Sequence, residues 1–81
     1  MMQPEQLKGL IEDGLPDCEA RVDGDGAHFE AIIVSPAFES KNRVRREQLV
    51  NGVLKEQFDS GELHALSMRT LTPEQWQQEQ G

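Results

Sequence analysis

Eighty-one residues, 36% of them hydrophobic, with no tyrosine and one tryptophan, describe a single domain whose core has to be small. No apolar run approaches a membrane span, and a net charge of −7 is the opposite of the basic stripe a nucleic-acid binder needs. The lone Cys18 excludes an internal disulfide, and Met1–Glu5 lack a signal peptide's basic start and apolar centre, so a cytoplasmic protein is expected.

The charge is uneven. Residues 1–40 hold nine acids against Lys8 and Arg21, whereas residues 41–81 hold six acids and six bases.

Along the chain, Pro4 to Asp13 has helical spacing, with Leu7, Leu10 and Ile11 on one face. Gly14 is placed to end this helix in a left-handed C′ conformation, with Leu15 folding back on Leu10. Cys18, Ala20 and Val22 alternate with polar residues, which predicts a half-buried strand. Gly24-Asp25-Gly26 is a turn; no helix follows it and no lysine is near, so it is not a phosphate cradle. His28 to Val34 is the more apolar strand and suits the middle of a sheet.

Ser35-Pro36 starts a helical turn through Phe38, and Glu39–Asn42 is a polar break. One long helix is expected from about Asn42 to Phe58, with Val50, Val53, Leu54 and Phe58 on its buried face and Val44 and Leu49 flanking it. Asp59-Ser60-Gly61 closes it. A strand from His64 then turns directly into a helix, with Thr72 as N-cap, Pro73 first, Gln75 completing a capping box, and Leu71 and Trp76 as a hydrophobic staple. Gln77–Gly81 is polar and expected to fray.

The class is therefore α+β in the order α-β-β-α-α-β-α, a three-stranded mixed sheet packed by helices. A helical crossover joins the second and third strands, so they should run parallel. His28 begins one and His64 the other, and adjacent strands would bring both histidines to one edge.

Two imidazoles make part of a metal site, which Asp23, Asp25, Cys18 or a second molecule would have to complete. With no ligand-spacing motif, the residues alone favour plain surface or strand-end histidines. Cys18 alternates inward with Ala20 and Val22, far from His28, and reads as a small apolar residue. No histidine stands beside it, and there is no Gly-x-Ser-x-Gly, so the chain is not expected to be an enzyme. Lys41, Arg43, Arg45 and Arg46 form the one basic cluster, where a helix-turn-helix would meet phosphates or an acidic partner would dock. The Gly-x-x-Gly loop of a KH module is absent.

The stretch His-Ala-Leu-Ser-Met-Arg-Thr-Leu-Thr-Pro-Glu-Gln-Trp (residues 64–76) resembles the C-terminal signature of BolA-like proteins. Ser-Pro-Ala-Phe-Glu, Asp-Gly-Ala-His-Phe and Arg-Val-Arg-Arg-Glu-Gln extend the likeness over residues 4–78, in the manner of a short bacterial branch. The resemblance implies a fold similar to a class II KH domain and pairing with a monothiol glutaredoxin around a bridging [2Fe-2S] cluster. The glutaredoxin and its glutathione would supply thiolates, and His64 and His28 nitrogen ligands. It implies a stress-linked, non-enzymatic protein, monomeric or weakly dimeric when alone. As the alternative, it implies a DNA-binding transcriptional regulator acting through Lys41, Arg43, Arg45 and Arg46.

Overall fold

Three strands set the frame: β1 (Glu19–Gly24) pairs antiparallel with β2 (His28–Val34), which pairs parallel with β3 (Ala65–Leu71). The structure, a computed structural model, describes residues 2–81. Before the sheet comes α1 (Pro4–Gly14). Between β2 and β3 lie a 3-10 turn (Pro36–Phe38), α2 (Arg43–Val53) and α3 (Lys55–Ser60), and α4 (Pro73–Gln80) follows β3. The central place of β2 follows from its sequence, since a strand covered on both edges can afford few polar residues.

Alternation sorts the sheet into two faces. Ala20, Phe29, Ala31 and Ile33 are buried on one, where they meet Leu7 and Ile11 of α1, Val50 of α2, and Phe38, Leu54 and Leu63. The other face is mainly polar, carrying Arg21, Asp23, His28, Glu30, Ser67 and Arg69 around Ile32, with Val34 and Leu71 buried at one end.

Three expectations change. Gly14 ends α1 inside the helix, and the extended Leu15 (φ −130°) caps it. The glycine serves close approach: a Cβ there would lie 2.3 Å from Val53 Cγ1.

The long helix is two helices. Leu54 leaves helical geometry (φ −102°, ψ 15°), and its N–H still reaches Val50 O at 3.1 Å. The bend lets the chain turn around the core with Leu54 fully buried. Gly61 then ends α3 in the left-handed region (φ 82°), a conformation that favours glycine.

The polar tail is helical through Gln80. Two contacts fasten it to the polar face of the sheet: Arg21 stacks on Trp76 (5.1 Å to the ring centroid) and Arg69 pairs with Glu79 (2.5 Å). The Thr72 cap forms as its sequence predicts, with Gln75 N donating to Thr72 Oγ1 (3.2 Å) and Thr72 N to Gln75 Oε1 (2.9 Å).

Candidate functional site at the histidine end of the sheet

His64 is delivered by an anchored segment. Leu63 is buried in the core and its N–H donates to Gln57 O (3.0 Å), so the next residue emerges at the mouth of β3. There the imidazole is exposed and opens on a groove of about 520 Å³, walled by Arg43, Glu47 and Asn51 of α2 and floored by Phe58 and Leu66.

His28 is positioned by the turn before it. Asp25 Oδ1 accepts from Ala27 N (3.1 Å) and His28 N (3.0 Å), while Asp25 N donates to His28 O (3.3 Å). Those donated N–H groups hold the Asp25 carboxyl below its ordinary value, His28 contributing most. Gly24 makes the turn possible, because a Cβ at that position would stand 2.5 Å from His28 O.

The register settles how the two histidines relate. His28 pairs with Ala65, one residue after His64. Paired residues of parallel strands share a face and successive residues alternate, so His28 belongs to the polar face and His64 to the face of Leu66 and Met68. They share one end of the sheet and lie on opposite faces of it. Neither side chain has a hydrogen-bond partner among the described residues.

The other proposed donors are engaged or distant. Asp25 holds the turn, and Asp23 Oδ1 accepts from Gly24 N (2.9 Å). Cys18 precedes β1 at its opposite end, beside the Glu19–Val34 pair, with burial pushing its thiol up to about 11. No group of three or more His, Cys, Asp and Glu side chains among the described residues could hold a metal ion.

The basic cluster divides. Arg46 is a structural tie: its Nε donates to Phe38 O (3.0 Å) and Lys41 O (2.8 Å), and its Nη1 to Thr70 O (3.0 Å) and Gln75 Oε1 (3.0 Å). Arg43 pairs with Glu47 at 2.9 Å on the surface. The side chains of Lys41 and Arg45 form no ion pair among the described residues. The role of Arg46 escaped the sequence reading, although its spacing to Val50, Val53 and Leu54 puts it on the buried face of the helix. Val44, expected to flank that face, is 62% exposed.

Among known proteins, the family model described as "BolA-like protein" matches residues 11–75, which include both histidines and the basic cluster. A protein of the rpoN-murA intergenic region of Acinetobacter guillouiae is 39% identical over 75 residues, 93% of this chain and 90% of that one. The acid stress protein IbaG of Escherichia coli (strain K12) is 33% identical over 75 residues, covering 93% of this chain and 89% of its own. The structure of a bolA protein homologue from Coxiella burnetii superposes with a TM-score of 0.87 at 36% identity, over 95% of this chain and 99% of that one. No helix among the described residues is long and apolar enough to cross a membrane. With a family match over residues 11–75 and a close superposition on that homologue, this chain belongs to the BolA-like family.

Proposed function

We propose that the protein is a non-enzymatic partner of a monothiol glutaredoxin and contributes His64, with His28 from the opposite face, to a shared [2Fe-2S] cluster held off the end of the sheet where both faces meet. The observation that carries this reading is His64 itself: an exposed imidazole without a hydrogen-bond partner, on a rigid strand mouth beside an open groove. The two imidazoles would supply part of the ligand set, and the partner would have to supply the rest, because no group of three or more such side chains among the described residues could hold a metal ion. When bound, such a cluster supplies one-electron chemistry and transferable iron and sulfide.

The chain's own residues have three tasks. Leu63 fixes where His64 emerges, the Asp25 turn fixes His28, and the groove beside α2 leaves room for the partner's thiolate. An imidazole ligates only when neutral, so acidification loosens its hold on a metal. That property suits the stress role named for the Escherichia coli relative. The alternative, DNA binding through the basic cluster, has less support because Arg46 and Arg43 already have protein acceptors.

The test mixes this protein with a monothiol glutaredoxin, glutathione, iron and sulfide and records visible absorption and circular dichroism. A spectrum distinct from that of the glutaredoxin homodimer, lost in His64→Ala, supports the reading. Failure of the two proteins to associate, or a spectrum indifferent to both histidines, sinks it.

A further inference from the structure

The crossover assembles a basic cluster that the sequence does not show. Arg43 and Arg46, from the first turn of α2, and Arg69 of β3 line one hollow of about 330 Å³, together with Met68, Thr70 and Leu71. Lys41 and Arg45, the sequence neighbours of the first two, are not among the lining residues. Three of the eight basic side chains thus converge on one small hollow in a protein of net charge −7.

Their charges are unevenly answered. Arg43 Nε pairs with Glu47, and the two Nη atoms of Arg69 pair with Glu79 (3.2 and 2.5 Å). Both are exposed surface pairs, which hold weakly and exchange readily. Arg46 donates only to carbonyl and amide oxygens, so no carboxylate neutralises it. The Nη atoms of Arg43 and the Nε of Arg69 donate to nothing among the described residues.

The strand adds one more donor. Ser35 N donates to Leu71 O (3.1 Å), continuing the β2 ladder, so Leu71 bonds toward β2. A strand residue sends its N–H and C=O to the same side, and neighbours alternate, so Thr70 presents both away from β2. Its C=O takes the Arg46 bond (3.0 Å), and its N–H has no acceptor among the described residues.

We infer that this hollow binds the phosphate group of a small phosphate monoester. Charge decides between the anions. Three guanidiniums less two carboxylates leave one positive charge. α2 and α4 both begin beside the hollow, and each helix dipole adds about half a charge there. A total of about two matches a monoester dianion better than a carboxylate. Geometry agrees: three free phosphate oxygens can accept from Arg43, Arg69 and Thr70 N–H at once, while Arg46 stands behind them as a fixed charge. The hollow exceeds a phosphate group in size, and Met68 and Leu71 give the rest an apolar lining for the body of an ester. A nucleic-acid phosphate is a diester with one charge and two free oxygens, and its polyanion would meet a chain of net charge −7.

The experiment titrates the full chain with phenyl phosphate at about pH 8, where the monoester is a dianion, at constant ionic strength. Nitrogen–proton NMR follows the Thr70 amide and the Nε–H signals of Arg43 and Arg69. All three should move along one saturable curve in the millimolar range. Inorganic phosphate should bind more weakly, and dimethyl phosphate, a diester, should not saturate. Arg43→Gln and Arg69→Gln should each weaken binding about tenfold. Glu79→Gln should strengthen it, because it frees Arg69 without removing the cation, and Lys55→Gln, outside the hollow, should leave it unchanged. Shifts spread over all the arginines without saturation, weaker binding in Glu79→Gln, or full affinity in Arg69→Gln overturns the inference. Inorganic phosphate binding as tightly as phenyl phosphate overturns the ester and leaves the free ion. Dimethyl phosphate binding as tightly overturns the monoester and returns the hollow to a nucleic-acid backbone.

Discussion

The Arg46 guanidinium and the Gln75 side chain meet at one oxygen. Gln75 Oε1 accepts from Arg46 Nη1 (3.0 Å) and from Thr72 N (2.9 Å), so the cap of α4 is fastened to α2 across the end of β3. Removing a charged donor that serves several part-buried acceptors costs about 1.5–3 kcal/mol. Arg46→Ala should lower stability by that amount in urea unfolding, while Arg45→Ala, at an exposed position, should change it by no more than about 0.5 kcal/mol.

The two histidines should not be equivalent. His64 follows a buried anchor, whereas His28 hangs on a surface turn on the opposite face. In the mixed cluster assay, His64→Ala should abolish the signal, and His28→Ala should leave a weaker signal that bleaches sooner. Equal losses would contradict the asymmetry.

Asp25 gives a pH dependence of definite sign. Its folded carboxyl titrates below the ordinary 3.8 because His28 and Ala27 donate to it. A lowered folded value stabilises the turn above the unfolded value, and that contribution disappears as pH falls through the folded one. Carboxyl carbon NMR should find a midpoint under 3.8, and the His28 amide resonance should shift over the same range. Asp25→Asn, which keeps the accepting oxygen, should hold the turn and lose the titration.

Cys18 should be a poor nucleophile. With its thiol pushed up to about 11 by burial, little thiolate exists near neutrality. Alkylation of the folded protein should be slow at pH 8 and accelerate toward pH 11, and Cys18→Ala should leave the cluster assay unchanged.

Two glycines of α1 should respond oppositely to alanine. At Gly14 the new methyl meets Val53 Cγ1 at 2.3 Å, and a stiff β-branched side chain gives little; a loss of about 1–3 kcal/mol is expected. At Gly9 nothing lies within 4 Å, and the substitution should gain about 0.4–1 kcal/mol.

Local chemistry was legible in the sequence where one short stretch decides it. Thr72-Pro73-Glu74-Gln75 builds its capping box, Ser35 caps its turn through Ala37 N (3.1 Å), and the apolar run of β2 lands in the middle of the sheet. The relation between the histidine-bearing strands followed from the crossover alone. What stayed hidden depends on residues far apart. Gly14 looks like a C′ glycine until Val53 arrives from α2, and Arg46 looks like a phosphate contact until residues 38, 41, 70 and 75 surround it. The break at Leu54 has no proline or glycine at that residue to announce it. Strand starts placed both histidines at one end; only the exact register, His28 against Ala65, assigned them to opposite faces.

The four acceptors of Arg46 come from the 3-10 turn, the polar break before α2, the last residues of β3 and the cap of α4. One guanidinium therefore makes the loosening of those segments a single event. Opening the start of α2 withdraws the Arg46 donor from Gln75, the residue that also closes the cap of α4. Amide exchange at Thr72 and at Arg46 should consequently report the same opening, although the two are separated in the chain by α3 and the whole of β3.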